Sequence, residues 1–186
     1  MRFDPAQGQS AAEFLNTADE REIADVIWRY GDERRSRHIA RAVVAERPIS
    51  STAQLAAIVA RVVGHHSGKG HPATRTFQAI RIHINGELDQ LAQTLSSSLD
   101  LLIDGGRLVV ISFHSLEDRM VKQFIRDASV TCVCPPDQPI CTCHTVPTLR
   151  VVGKAVRATA DEQAENPRSR SAVMRTAERI PRKDAA

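Results

Sequence analysis

One continuous apolar run limits this chain more than any other feature. Arg107-Leu-Val-Val-Ile-Ser-Phe113 follows a turn at Asp104-Gly105-Gly106, and the residues before that turn carry helical spacing. A run that is apolar throughout, rather than at alternate positions, is the pattern of a strand buried on both faces of a parallel sheet. Such a strand needs neighbours on both edges and helices on both sides. The chain offers two weaker candidates, Leu149–Val152 and Ser171–Ile180. Most of the sheet is therefore missing. Either another chain supplies it, or these 186 residues are the C-terminal part of a larger α/β protein.

The helical part reads element by element. Ser10-x-x-Glu13 is a capping-box pattern and opens a short helix carrying Phe14 and Leu15. Asp19 caps a second, with Ile23, Val26, Ile27 and Tyr30 at i, i+3, i+4, i+7 and Gly31 at its end. A third covers residues 33–46, closed by Pro48. Ser51-x-x-Gln54 starts a fourth, with Leu55, Ile58, Val59 and Val62 on one face. Gly64–Pro72 is a loop. Phe77, Ile80, Ile84, Leu88, Leu91 and Leu95 then form a stripe over Thr74–Leu99 that Gly86 kinks or splits. Beyond the strand, Ser115-x-x-Asp118 is a capping pattern for a helix with Leu116, Met120, Val121 and Phe124 turned inward. Thr159-x-x-Glu162 caps a short helix, and the residues from Arg182 fray.

Charged residues at 25% and hydrophobic residues at 42% are ordinary for a soluble protein. No apolar run approaches the ~18 residues that span a bilayer, and the N-terminus has no apolar signal region. No membrane partner and a cytoplasmic location are expected, with thiols reduced. Lys69, Lys122, Lys154 and Lys183 are the only lysines among 25 basic residues, so arginine supplies 21. Arginine suits phosphate and base stacking. A GC-rich coding sequence inflates Arg and Ala together, however, and composition alone favours that explanation.

Motifs narrow the chemistry. Gly64-His-His-Ser-Gly68-Lys69-Gly70 fails the spacing of a phosphate loop, and no strand precedes it. No GxGxxG follows a strand, so no dinucleotide or adenosyl cradle is visible. Arg34, Arg37, His38 and Arg41 make a basic side on the third helix, opposite Ile39 and Val43. They suit phosphate contacts or a merely solvated face. Arg75, Gln78 and Arg81 lie off the apolar stripe and read alone as surface residues. Ser112-Phe-His114-Ser115-Leu-Glu-Asp118-Arg119 is the best local signal, because ligands of open α/β sheets bind beyond the carboxyl ends of strands. Helix capping accounts for part of Ser115 and Asp118, but not for His114 or Arg119. Asn166-Pro-Arg168-Ser-Arg170-Ser171 precedes the last strand as a polar, basic turn. All four cysteines lie in Cys132-Val-Cys134 and Cys141-Thr-Cys143, followed by His144. Zinc knuckles usually space their ligands C-x2-C, and C-x-C is strained for one ion. An exposed thiol loop is the favoured reading, zinc the alternative, and no metal ligand is assigned.

Together, Arg2-Phe-Asp-Pro5 with Gly8-Gln-Ser-Ala-Ala12, His71-Pro-Ala-Thr-Arg-Thr-Phe-Gln-Ala-Ile-Arg81, Gly105–Arg119 and Asn166–Ser171 resemble the RsmH (MraW) methyltransferases over nearly the whole chain. Phe113-His-Ser-Leu-Glu-Asp-Arg119 is the most specific piece. The resemblance implies S-adenosylmethionine-dependent methylation of the exocyclic N4 of a cytosine in the decoding region of small-subunit (16S) ribosomal RNA. It implies an α/β fold: an incomplete class I methyltransferase (Rossmann-like) sheet with an inserted all-α lobe. Residues 1–71 then resemble the lobe, thought to help recognise RNA, and 72–186 the C-terminal half of the catalytic domain. Strand 107–113 resembles the fifth strand, and the last two strands an antiparallel edge pair.

The family's glycine-rich donor loop and its acidic ribose ligand lie upstream of Arg2-Phe-Asp-Pro5, so no cofactor-binding residue is expected here. On this resemblance His114, Ser115 and Asp118 border the cytosine as catalytic residues. Arg75, Gln78, Arg81, Arg119, Asn166, Arg168 and Arg170 hold RNA, and Arg34, Arg37 and Arg41 extend that grip. The implied partner is small-subunit ribosomal RNA or the 30S particle. A homodimer or a complementing N-terminal fragment would complete the sheet. A non-catalytic RNA-binding module, stabilised by zinc, is the competing reading.

Overall fold

The structure is a computed structural model that describes residues 1–4, 6, 8–64, 70–135, 137–138 and 140–181. The glycine-rich stretch that fails as a phosphate loop, and the fraying expected at the C-terminus, lie largely or wholly outside these residues. The chain divides into two compact units, Met1–Leu88 and Asp89–Ala186.

The first unit is helical: α1 (Ala11–Thr17), α2 (Glu20–Gly31), α3 (Ser36–Ala45), α4 (Thr52–Val63) and α5 (Thr74–Asn85). The caps read from sequence form. The Ser10 hydroxyl accepts from Glu13 N–H while Glu13 accepts from Ser10 N–H, and Asp19 and Ser51 accept from the N–H groups of Glu22 and Gln54. The third helix has no side-chain cap. Instead Arg35, just before it, donates to the carbonyls of Val62 and Val63 at 2.7 and 3.0 Å. That ties its start to the end of α4, whose last carbonyls otherwise lack partners. The apolar stripes meet in one core built on Phe14, Ile23, Ile27, Ile39, Val43, Leu55, Ile58 and Ile80. Gly31 lets α2 and α5 approach closely, since a Cβ there would sit 2.8 Å from the Arg75 carbonyl. The helix α5, which the sequence reading groups with the second domain, packs on α2 inside this unit. Gly86, at φ 58°, splits the long stripe into α5 and α6 (Glu87–Leu101).

The second unit holds β1 (Arg107–Ser112), α7 (Ser115–Ala128), β2 (Leu149–Val151), β3 (Val156–Arg157), α8 (Ala160–Glu165), a 3-10 turn at Pro167–Ser171 and β4 (Val173–Arg179). The strand order is β1-β4-β2, with β3 also on β4, and all three pairings are antiparallel. Among the described residues β1 therefore has one neighbour, the antiparallel β4, and the parallel reading concerns its other edge. Its side chains alternate between exposed and half-buried until Ser112, despite the unbroken apolar sequence. Leu108, Leu149 and Ala177 share one face with Leu95 of α6 and with Val121 and Ile125 of α7. On the other face Val109 and Ile111 stand 52% and 55% exposed, in register with Thr176 and Met174. Apolar residue type alone suggests burial on both sides of this strand; among the described residues only one side has a helical layer. Among the described residues no strand pairs with the outer edge of β1.

Candidate functional site at the end of strand β1

The register gathers the site. Ser112 pairs with Val173, and Arg157 pairs with Val173 from the other side. The C-terminal end of β1, the start of β4 after the basic 3-10 turn, and β3 therefore share one end of the sheet. The turn from β1 into α7 leaves from this end.

The sequence pattern assigns the cap of α7 to Ser115 and Asp118. The structure gives it to their neighbours. His114 is the N-cap residue; its Nδ1 accepts from Glu117 N–H at 3.3 Å, while Glu117 Oε2 accepts from the backbone N–H groups of Phe113 and His114 at 2.8 and 3.2 Å. An imidazole whose Nδ1 accepts carries its proton on Nε2. That nitrogen is buried 3.2 Å from Glu117 Oε1, without the alignment of a hydrogen bond. Burial pushes the Glu117 carboxyl up, but the His114 side chain and the two backbone N–H groups outweigh it and hold the carboxyl below its ordinary range. With Glu117 and His114 locked, Asp118 is released from capping and turns to Arg175. Two parallel bonds join them, Nε to Oδ1 at 2.7 Å and Nη2 to Oδ2 at 2.9 Å. The fork geometry of guanidinium on carboxylate makes this a directional pair. It holds Asp118 below the usual carboxylate range, with Arg157 and Lys122 adding positive potential, and it raises Arg175 in turn.

Arg175, Arg157, Lys122 and Glu117 are not among the residues singled out from the sequence. Arg175 carries a signal: it sits at an inward position of β4 between Val173 and Ala177, where a charge needs a partner. Arg119 and Ser115 are exposed on α7. Asn166 accepts from Arg168 N–H and so caps the 3-10 turn, which leaves Arg168 and Arg170 exposed around the buried Ser169. Beside α7 a cleft of about 420 Å³ is lined by Ile125 and Val151 together with the cationic Lys122, Arg126, Lys154 and Arg175.

The remaining basic residues separate by what they touch. Arg34, Arg37 and Arg41 are exposed in the helical unit, and Arg41 lies 3.5 Å from Glu20. Arg34 precedes α3 instead of riding on it. Arg81 is engaged by Glu87 through a two-bond fork at 2.9 Å, which makes it a joint between α5 and the start of α6. Arg75 and Gln78 reach the carbonyls of Asp32 and Tyr30 at 3.5 Å.

The loop between α7 and β2 brings all four cysteine sulfurs within 4.8 Å of one another. The Thr145 side chain and the Val133 N–H draw the Cys143 thiol down to about 5. The Cys134 N–H lowers Cys132, but its three thiol neighbours override that and push it up to about 11.

Comparison with known proteins places this geometry. The family model described as the MraW methylase family matches residues 1–180, and the chain belongs to that family. Among curated relatives, the "Ribosomal RNA small subunit methyltransferase H" of Thermomicrobium roseum is 53% identical over 97% of this chain and 56% of its own length. The proteins of that name from Dehalococcoides mccartyi (strain BAV1) and Chromohalobacter salexigens are 52% and 56% identical. Each alignment covers 97% of this chain, with 52% and 56% of the respective relative. The chain spans about half the length of the curated relatives it matches. No described helix is long and apolar enough to cross a membrane.

Proposed function

We propose that this chain forms the substrate-holding part of an S-adenosylmethionine-dependent methyltransferase. Its target is the exocyclic N4 of a cytosine in the decoding region of small-subunit ribosomal RNA. The observation that carries the reading is the locked turn after β1, where Asp118 and Arg175 form a fork beside Arg157 and Lys122.

Among the described residues, the turn after β1 does not fit the donor. An adenosyl cradle needs free backbone N–H groups after a strand. Here the N–H groups of Phe113 and His114 are already bound to Glu117. The donor pocket is therefore assigned to the part of the relatives that this chain does not cover, and the sheet 107–179 to the C-terminal half of a class I methyltransferase domain. Residues 1–71 act as its RNA-recognising helical lobe. The open edge of β1 and the exposed face at Val109 and Ile111 suit completion by further strands and helices, from an N-terminal fragment or a second copy.

A cytosine amine is a weak nucleophile because its lone pair is delocalised into the ring. Holding it in line with the transferable methyl group supplies much of the rate. The target base must leave its stack to reach such a site. Asp118 keeps unused lone pairs outside its fork with Arg175, and its ionised form accepts a hydrogen bond from the amine. His114 shapes the turn that presents it. Arg119, Arg168, Arg170 and the cationic residues lining the cleft hold RNA phosphates; Arg34, Arg37, Arg41, Arg75 and Gln78 extend that hold in the helical unit.

The test fuses the N-terminal part of the Thermomicrobium roseum relative to this chain. Calorimetry should show S-adenosylmethionine binding by the fusion and none by the chain alone. In the fusion, Asp118→Ala should lower methyl transfer to unmethylated small subunits more than it lowers donor affinity. An equal loss of both would remove Asp118 from the substrate side. Donor binding by the chain alone would overturn the division. RNA binding that falls steeply with salt, with no donor binding even in the fusion, would favour the non-catalytic module.

A further inference from the structure

The loop from Ser129 to Pro147 has no core of its own. None of its described side chains is buried, and Val133, Ile140 and Val146 stand 66%, 73% and 71% exposed. No helix or strand lies within its described residues. Its stem is closed by Thr148 N–H donating to the Ala128 carbonyl at 2.8 Å. Loops this long without secondary structure are uncommon in compact units unless they serve a function. Inside the stem, the chain converges on sulfur.

The sulfur geometry is specific. Cys132 and Cys141 lie 3.6 Å apart, Cys134 and Cys141 3.9 Å, Cys141 and Cys143 3.4 Å, and Cys143 and Cys132 3.8 Å. A tetrahedral ion with metal–sulfur bonds of ~2.3 Å separates its sulfurs by about 3.8 Å. A disulfide needs ~2.05 Å, and all four cysteines are free. The C-x-C spacing, strained for one ion when a unit is taken singly, works here because the two C-x-C units face each other. The middle residue of each aims its backbone N–H at a sulfur of the other: Val133 N–H to Cys143 Sγ and Thr142 N–H to Cys134 Sγ, both at 3.5 Å. Backbone donors on coordinating sulfurs are the outer-shell contacts that orient ligands and spread their charge.

We propose that Cys132, Cys134, Cys141 and Cys143 form a tetrathiolate zinc site that folds the 129–147 loop. Four thiolates select a soft, borderline ion in tetrahedral geometry. On binding, each thiol gives its proton to solvent as its sulfur bonds the ion, and no electron moves. A closed four-sulfur set leaves no open position, so the ion is structural. Its binding free energy supplies the order that the loop lacks in apolar contacts. His144 follows the last cysteine at φ 52° and stands outside the sulfur set.

The test uses the full chain, purified under reducing conditions from zinc-supplemented medium. Elemental analysis should find about one zinc per chain, and Cys134→Ser and Cys141→Ser should each lower it more than tenfold. Replacing zinc by cobalt(II) should give the sulfur-to-cobalt charge transfer and intense visible bands of a tetrahedral four-sulfur site. His144→Ala should leave content and spectrum unchanged, which separates four thiolates from a three-thiolate, one-imidazole set. A chelator should speed proteolysis within the loop while the ellipticity of the helices stays constant. Four thiols reacting equally fast with and without zinc sulfate would overturn the proposal. So would iron in place of zinc, two disulfides in the reduced preparation, or a cobalt spectrum with nitrogen donors. The Cys→Ser variants keep their helical signal if the loop folds separately, so metal loss is readable apart from unfolding.

Discussion

The two units bury apolar side chains to very different degrees. In the helical unit, Ile23, Ile27, Ile39, Val43 and Val59 are fully enclosed, and one core joins all five helices. In the sheet unit, the buried core is Leu95, Val121, Ile125, Leu149 and Ala177, while Val109, Ile111 and Val156 keep more than half their surface in water. Sequence hydrophobicity does not separate these cases, since β1 carries the unbroken apolar stretch Leu108–Ile111. Layering does: helices enclose one another's stripes, whereas a sheet has two faces and here, among the described residues, one helical layer. The largest expected effect tests that contrast. Ile27→Ala should cost about 2–5 kcal/mol, the range for truncating an enclosed aliphatic side chain. Urea unfolding followed by Trp28, the single tryptophan, which lies on α2, would read it. Ile111→Ala should stay within about 0.5 kcal/mol by circular dichroism, as exposed positions do. In the fusion with the Thermomicrobium roseum N-terminal part, the same change should move towards the core value. An Ile111→Ala cost near that of Ile27→Ala in the chain alone would show that the face is already covered.

Next in size is the turn after β1. His114→Ala removes the N-cap of α7 and should cost about 1 kcal/mol. The helical unit should not register it at Trp28 if the two units unfold separately. Glu117 holds the reciprocal half of the box. Because its folded pKa is lowered, its contribution is complete above the unfolded value and is lost as pH falls through the folded one. Glu117→Gln should therefore flatten the acid limb of the sheet unit's stability curve and leave the neutral region lower by a similar amount.

How far these features are legible in the sequence follows the range of the forces that set them. Ser10, Asp19, Ser51 and Thr159 cap their helices as read, because a cap is decided within four residues. Gly86 breaks the long stripe for the same local reason. At α7 two overlapping patterns compete, Ser115-x-x-Asp118 and His114-x-x-Glu117, and the residue types favour the wrong one. The strand exit fixes the outcome, since the backbone N–H groups of Phe113 and His114 both find their acceptor in Glu117. The partner of Asp118 lies 57 positions away, so only strand register reveals it. The exposure of Val109 and Ile111 is hidden for a related reason: apolar content reports what a face could bury, not which layer is there to bury it. The cysteine spacing does not by itself say that the two C-x-C units face each other across the loop and bring the four sulfurs together.

The Asp118–Arg175 fork should contribute less than the cap. Both side chains are about one-fifth exposed, 21% and 22%, so solvent screening limits the pair to about 1 kcal/mol or below. Its pH dependence has the sign of a lowered carboxylate. The contribution is full above the ordinary Asp value of 3.8 and disappears as pH falls through the depressed folded value. A double-mutant cycle with Asp118→Asn and Arg175→Gln at pH 7 should show coupling that vanishes in acid. Coupling that persists when Asp118 is protonated would mean that shape, not charge, holds the fork.

The smallest effect on stability should be the most informative for binding. Arg34, Arg37 and Arg41 are exposed, and among the described residues only Arg41 has a carboxylate within 4 Å, so the triple change to Gln should alter stability by no more than about 0.5 kcal/mol. If they touch phosphates, the plot of log affinity for small-subunit RNA against log salt should become shallower by about 2–3, close to one for each phosphate released. Arg168→Gln with Arg170→Gln should flatten it by about 1.5–2. Arg81→Gln is the control: its guanidinium is committed to Glu87, so it should affect the α5–α6 joint and not the salt slope. A slope unchanged by the Arg34, Arg37, Arg41 triple but lowered by the Arg168, Arg170 pair would place the RNA grip in the sheet unit alone. The helical unit's basic side would then be a solvated face. Equal sensitivity in both would mean that RNA engages the closed unit and the open one together.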